Sequence, residues 1–494
     1  VPFSIKAARE SWVTLNVETV LDGDWDARKR PIAAHWRVKN PDEGMEMGVR
    51  RLDTPPVRKQ QFRRGYGAAA KRVPLFFERP VNHFYILENW TTGILGVVQA
   101  LDFAAARQCV LDTVGPVRPP VETIGLAEAA GRVLAADIRA DRDYPPVDRS
   151  IRDGFAVRAG DMPGSVKIIG EVRAGEAFPG SVNSGECVRI MTGAPLPKGA
   201  DAVVMVEYTT VREGTMTTDR APKAGEFEFI NRAGCETREG DVVLRRGSRL
   251  RFPHIAMLAT VGAATVEVFR RPRVAILATG DEIVPVESTP RTFEVRNSNS
   301  WALAAQVAAA GGIPEVLPVA PDRLDETIAL IEQGLDADLL LLSGGVSAGE
   351  YDFVETALAH CGAEFFFTRV KIRPGAPLVF GRARGRHFFG LPGNPLSTAV
   401  TFEVFARAAL ELLSGVAEPM LPIVEARITR TLREKGGLTR FLPGVLDNGA
   451  SRVTPIDWKG SSDVPALARS NAFIIAAPDR ELYEEGEAVS VLLQ

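Results

Sequence analysis

The sequence predicts a multidomain α/β protein. Its centre is a doubly wound, mostly parallel sheet with helices on both faces. A β-rich insertion, a helical linker domain and a C-terminal β domain complete it. Three observations predict this. Between residues 271 and 417, five short apolar runs each end in a turn rich in Gly, Pro or acid. Helical patterns alternate with those runs, which is the signature of a parallel sheet covered on both sides. On either side of this region the pattern turns to short alternating strands.

The central elements follow in order. Arg273 to Ala278 runs into Thr279-Gly280-Asp281-Glu282. The pattern from Ser300 to Ala310 reads as a helix stopped by Gly311-Gly312. Glu315 to Val319 is a strand, and Asp322 after it can cap a helix that carries Leu324, Ile328, Ile331 and Leu335. Asp338 to Leu342 runs into SGGVSAGEYD, Ser343 to Asp352. Phe365 to Ile372 reads as one strand leading into Arg373-Pro374-Gly375-Ala376-Pro377. His387 to Gly390 runs into LPGNP, and a long helix from Leu396 to Leu413 ends at Gly415. Every conspicuous turn follows a strand, so the turns share the carboxyl edge, where such sheets collect ligands.

Outside the centre, residues 1–97 hold four of the six Trp and show little periodicity. They are expected to be an N-terminal extension of weak order; a small separate domain is the rival. The sequence opens on Val1 and its first Met is Met45, so it was either processed or starts upstream of its true beginning. No apolar core follows the start, so a secretory leader is not expected. Residues 98–147 and 230–270 read as a helical linker domain, with helices after Val98, from Gly125 to Ala136 and from about Pro253. Residues 148–229 read as the β insertion, through VKIIGEV, ECVRIMTG and AVVMVEYTTV. Residues 271–417 form the α/β domain, and 418–494 form a β domain with a strand at Ala472 to Ala477.

Length and composition agree. A chain of 494 residues exceeds one core and calls for three or four domains. A net charge of −3 points to neither nucleic acid nor a membrane surface as partner. No apolar run reaches membrane-spanning length. Cys109, Cys187, Cys235 and Cys361 form no CxxC pair, which argues against a zinc finger or disulfide frame and fits a cytoplasmic protein.

Seven segments now carry a resemblance. RSIRDGFAVR, VRIMTGAPLPKGADAVV, ILATGDEI, RNSNS, LLLLSGGVSAGEYDF, KIRPGAPLVFG and GLPGNPLSTAVTF resemble, in order, the MoeA-type molybdopterin molybdenumtransferases, including the related domain of gephyrin. The likeness covers roughly Val98 to Gln494. It implies that molybdate enters adenylylated molybdopterin with loss of AMP and with Mg²⁺ present. It also implies an elongated homodimer, with the site between the central domain of one subunit and the β insertion of the other. A molybdopterin adenylyltransferase and molybdoenzymes are the implied protein partners. Two other functions stay open: the adenylyltransferase itself, which resembles the central domain only, and a gephyrin-like scaffold without catalysis.

The residue types fit this chemistry. Gly344 and Gly345 after a strand let backbone N–H groups approach an anion, and Ser343 and Ser347 add hydroxyls; the bland alternative is a tight strand-to-helix turn. Lys371 and Arg373 are candidates for holding phosphate or molybdate, on a loop stiffened by Pro374 and Pro377. The family often has Lys where this chain has Ala376. Carboxylates suit Mg²⁺ shared with phosphate, and the resemblance makes Asp153, Glu282 and Asp352 the metal and catalytic candidates, with Lys371 beside them. Asp322 is either a helix cap or a substrate residue, and Asp281 reads as a turn residue. Gly393 permits close approach, while Asn394 or Ser397 caps the long helix or meets substrate. Thr192 and Gly193 match the family, with a plain β-turn as the alternative. Asn297, Ser298 and Asn299 either cap a helix or meet substrate. By resemblance Ser461 binds an oxyanion, Arg440 is a looser candidate, and Glu236 stands where members often have Asp.

Overall fold

A computed structural model describes residues 12–17, 32–38, 45–51, 100–222, 229–345 and 353–494. The chain divides into two compact units, Val1–Glu88 and Asn89–Gln494. The first unit contains an antiparallel sheet of Trp12–Val17, Ile32–Val38 and Met45–Arg51, in a region where the sequence shows little periodicity.

In the second unit the central sheet runs Ile313–Val316, Arg273–Ala278, Leu339–Ser343, Arg386–Leu391, Val379–Ala383, Glu364–Phe367. The first four strands are parallel, and Val379–Ala383 is reversed between two that run the other way. Alternate residues of one strand face opposite cores, as a period of two requires. Val274, Ile276, Leu339 and Leu341 pack with Leu303, Val307, Val400 and Leu410 on one face. Ala275, Leu277, Leu340 and Leu342 pack with Ile331, Val354 and Leu358 on the other.

Two central expectations are corrected. The run Phe365 to Ile372 is not one strand: Glu364–Phe367 edges the central sheet, while Ile372–Arg373 pairs in parallel with Thr439–Leu446 of the C-terminal domain. A uniform apolar run cannot reveal that its two ends belong to different sheets. The long helix is also interrupted. Pro395–Thr401 and Arg407–Leu413 are α-helical, and Phe402–Ala406 between them is a π-helix. The Arg107 guanidinium donates to the Val404 carbonyl at 2.8 Å, in the stretch where widened winding disturbs the usual ladder.

Helix Phe103–Val114 is present, capped by Asp102. It buries Ala106, Val110 and Val114 in the central core, with Phe103 edge-on to Phe405 and Phe441. The helix expected from Gly125 to Ala136 is absent. Val121–Gly125 is a strand paired with Thr265–Phe269, and Leu126–Glu128 is a single 3-10 turn. Gly131 then takes φ +80°, and Leu134 bridges to Val268. The helical spacing of Leu126, Ala129, Val133 and Leu134 was outweighed by strand pairing. The linker segments thus keep two α-helices, Phe103–Val114 and Phe252–Thr260, beside short paired strands.

The insertion is a six-stranded sheet, in the order Ala202–Met205, Gly154–Val157, Glu186–Ile190, Gly164–Val172, Thr215–Thr218, Thr210–Arg212. In the C-terminal domain Thr439–Leu446, Arg452–Pro455, Ile423–Ile428, Ala488–Leu493 and Ala472–Ala476 close on themselves through the pairing of the last with the first. This closed ring leaves no free edge among the five strands.

Candidate functional site

Three loops meet at the carboxyl edge of the central sheet. Thr279 follows the first strand, Ser343-Gly344-Gly345 the third, and Pro392-Gly393-Asn394 the strand Arg386–Leu391. Their closeness explains the glycines. A Cβ on Gly344 would stand 3.0 Å from the Thr279 carbonyl oxygen, and one on Gly345 would stand 2.5 Å from Val354 Cγ2. A Cβ on Gly393 would touch Gly344 Cα at 3.4 Å. Gly344 and Gly345 also hold φ of +96° and +63°, which L side chains rarely adopt.

The Asn299 side chain ties these loops. Its amide nitrogen gives its two hydrogens to Gly393 O at 2.7 Å and Ser343 Oγ at 2.9 Å, with Thr398 Oγ1 as a weaker, shared contact at 3.3 Å. The cap of its helix, Ser298–Ala309, is instead Asn297, whose side chain accepts from the Ser300 N–H at 3.1 Å. Capping therefore falls to Asn297 and loop-tying to Asn299, two roles that adjacent polar residues leave open in sequence. Ser298 lies exposed in the first helical turn.

The acids sit around the same edge. Asp322 does not cap helix Leu324–Gly334, whose cap position is Arg323, without a side-chain bond. Its carboxylate accepts instead from the Asp281 N–H at 3.5 Å, while Asp281 accepts from the Asp322 N–H at 3.2 Å. The two acids thus lace neighbouring loops together. Glu282 is exposed and folds back over Gly280, so that its carboxylate fills the space a Cβ there would take. Ser347 and Asp352 lie outside the described residues.

The basic loop between Phe367 and Val379 is fixed from both ends. Val370 N–H donates to Ala376 O at 2.9 Å. Gly375 lies so close to the long helix that a Cβ would stand 2.5 Å from Thr401 Cγ2. Pro374 is buried and Pro377 half-buried. Lys371 and Arg373 are exposed, and among the described residues their side chains have neither hydrogen bond nor ion pair. Arg440, opposite Arg373 in the strand pair, is spoken for. It is 5% exposed, donates to Lys435 O at 2.8 Å and lies 3.4 Å from Glu434.

The C-terminal domain makes a second junction at Ser461. Its carbonyl accepts from the Leu396 N–H at 2.9 Å, at the start of the long helix. Asn394 occupies the cap position without a side-chain bond, and its side chain is exposed. The capping role expected of Asn394 or Ser397 is thus met from another domain.

In the insertion, Asp153 Oδ1 accepts from both the N–H and the hydroxyl of Thr192, each at 2.7 Å. Those two bonds, with the Arg189 charge beyond them, hold the Asp153 carboxyl below its ordinary range. Glu236 pairs with Arg149. Within the chain, Asp153 and Glu282 share no hydrogen-bond or ion-pair partner among the described residues. Sequence reasoning passed over Thr279, Thr398 and Arg189. Thr279 could have been noticed, because it begins the turn that supplied Asp281 and Glu282.

Among the described residues no group of three or more His, Cys, Asp or Glu could hold a metal ion by itself. No helix among them is long and apolar enough to cross a membrane.

Comparisons with known proteins bear on the whole of this arrangement. Three family profiles match in order: the MoeA N-terminal region (domain I and II) over residues 101–262, a probable molybdopterin binding domain over 275–412, and the MoeA C-terminal region (domain IV) over 425–494. The chain is 35% identical over 407 residues to a molybdopterin molybdenumtransferase of Bacillus subtilis, covering 80% of this chain and 93% of that protein. It is 34% identical to one from Staphylococcus aureus, covering 76% and 91%. Among solved structures, a molybdopterin biosynthesis moeA protein from Pyrococcus horikoshii matches with a TM-score of 0.68 at 29% identity, over 80% of this chain and all of that one.

Proposed function

Because the chain belongs to the MoeA family of molybdopterin molybdenumtransferases, we propose that its strand-end loops bind adenylylated molybdopterin and direct molybdate into it with release of AMP. The protein is a transferase of molybdenum cofactor biosynthesis. The observation that carries the site is the convergence of Thr279, Ser343 to Gly345 and Gly393 at one sheet edge. The profiles flanking the central domain disfavour the adenylyltransferase reading, which requires the central domain alone.

Backbone N–H groups and the Ser343 hydroxyl would receive the phosphate oxygens. Among the described residues the Lys371 and Arg373 side chains have no partner, and their loop is held by Pro374, Pro377 and the Val370–Ala376 bond, so binding an oxyanion costs little ordering. Asn394, exposed at the start of the long helix, and Ser461, whose carbonyl meets that helix at Leu396, would add contacts to the substrate. Arg440 acts by holding the strand next to Arg373.

Among the described residues the acids form no metal cluster of their own, so Mg²⁺ would be shared between the exposed Glu282 carboxylate and substrate phosphate, the arrangement in which one or two carboxylates suffice. When bound, the ion would neutralise and polarise the phosphoanhydride. Asp153, ionised and aimed by Thr192, would serve the site from a second subunit of a homodimer. Within one chain Asp153 and Glu282 share no hydrogen-bond or ion-pair partner among the described residues, which supports this. So do Phe293 and Trp301, which are 90% and 57% exposed on the central domain.

The test is AMP release from adenylylated molybdopterin by the full chain with molybdate and Mg²⁺, followed by activation of an apo-molybdoenzyme. Molybdate-dependent turnover is expected. Background release from folded protein would refute the reading.

A further inference from the structure

We propose that Asn299 is a positioning residue for the reaction: its amide holds Ser343 as a hydrogen-bond acceptor, so that the Ser343 hydroxyl turns its proton to an anionic oxygen of the substrate. The inference rests on the reading of the strand-end loops given above.

The direction of each bond follows from chemistry. An amide side chain can be built in two orientations, but the Gly393 carbonyl can only accept. The atom 2.7 Å from it is therefore the amide nitrogen. That nitrogen also lies 2.9 Å from Ser343 Oγ, so Ser343 accepts there. The weaker third contact, at 3.3 Å, is with Thr398 Oγ1. Thr398 can accept as well, because its own proton goes to the Pro392 carbonyl.

Ser343 is thus left with a donor. It is 4% exposed, and among the described residues no group accepts from its hydroxyl. A buried donor without an acceptor is costly, and a ligand that supplies one is bound correspondingly better. Ser343 ends the strand from which Gly344 turns, with Gly344 N–H bonded to Leu391 O at 3.1 Å. The hydroxyl therefore belongs to the loop cluster assigned to the phosphate oxygens. Through Gly393 and Thr398, Asn299 also fixes the spacing between the two glycine loops.

The experiment uses the full chain and measures the Kd of adenylylated molybdopterin and single-turnover AMP release. The variants are Ser343→Ala, Asn299→Ala, Asn299→Asp and the double Asn299→Ala/Ser343→Ala. Ser343→Ala is expected to weaken binding about tenfold or more, the worth of a hydrogen bond to a charged group. Asn299→Ala should cost at least a similar factor, since it also loses the ties to Gly393 and Thr398, and the double variant should fall clearly short of the product of the two losses, because one residue acts in part through the other. Asn299→Asp keeps the size of the side chain but makes it an acceptor. It would draw the Ser343 proton away from the substrate, and its defect should deepen as pH rises through the carboxyl range. A merely structural role would not produce that pH profile.

Full multiplication of the two losses in the double variant would overturn the proposal. So would Asn299→Asp with wild-type affinity at all pH values, or Ser343→Ala with unchanged binding. If Asn299→Ala does not fold, the isosteric Asn299→Asp still decides. Wild-type protein that neither binds this substrate nor releases AMP would instead refute the proposed function itself.

Discussion

Asp153 and Thr192, 39 residues apart, are joined by two hydrogen bonds of 2.7 Å to one carboxylate oxygen. The backbone bond contributes most to lowering the acid's range, the hydroxyl next and Arg189 last. A carboxyl with a depressed folded pKa gives stability above its unfolded pKa and loses it as pH falls through the folded value. Because the group is exposed, the effect should be seen in activity rather than stability. Thr192→Val keeps the backbone bond and removes the other. The acid limb of the pH–rate profile should move to higher pH, and turnover at neutral pH should fall by about tenfold. Asp153→Ala should abolish AMP release while circular dichroism stays unchanged. An acid limb that does not move in Thr192→Val would separate Asp153 from the chemistry.

If Asp153 serves the site of a second subunit, inactive variants should complement. Asp153→Ala and Glu282→Ala are each expected to be inactive. Co-expressed, they would form mixed dimers in which one site has both carboxylates, and part of the wild-type turnover should return. No recovery from purified mixed dimers would put both acids in one subunit or deny the role of one.

Lys371 and Arg373 are exposed cations without partners among the described residues. Lys371→Ala and Arg373→Ala should each raise the molybdate or substrate concentration needed for half-maximal turnover by about tenfold or more. The unfolding midpoint should hardly change, since exposed side chains without partners support little structure. A variant with unchanged concentration dependence would mark a solvated loop.

Arg440 should behave in the opposite way. Its side chain is 6% exposed, beside a Glu434 that is 22% exposed, and losing the charged hydrogen bonds of such a partly buried pair costs about 1–3 kcal/mol. Arg440→Ala should lower stability toward urea by that order and disturb the neighbouring Ile372–Arg373 strand. A loss under about 1 kcal/mol would show the pair to be solvated.

His387 tests the opposite end of the sheet. It is 4% exposed, its Nε2 has no partner, and its ring stacks on Phe380 at 6.0 Å. Burial, then the Arg382 charge, lowers its pKa from 6.5 to about 4. Between these values the unfolded chain binds the proton and the folded one does not, so stability falls as pH drops through that window. The loss should reach up to about 3 kcal/mol. His387→Phe should flatten this part of the stability curve. An equally steep decline in the variant would assign the slope to other groups.

The strand runs, helix stops and glycine turns of the centre were legible because each is a local pattern of a few residues. Arg273–Ala278, Leu339–Ser343 and Ala472–Ala476 lie where their apolar runs predict them. The failures have one origin. Gly125 to Ala136 has helical spacing, yet its apolar side chains find strands as partners. Phe365 to Ile372 is one run in sequence and two sheets in space. Asp322 is well placed to cap a helix, but it bonds to Asp281.

The sequence by itself determined which segments could be strands, where positive φ was needed and which family's motifs follow one another. Tertiary structure alone decided which polar groups meet. Asn299 reaches Gly393 across 94 residues, and the carbonyl of Ser461 receives the Leu396 N–H in place of a side-chain cap. The reason is physical. Periodicity and backbone preference act over one turn or one strand, whereas a hydrogen bond chooses among many chemically equal partners by distance and direction, which exist only once the chain has folded.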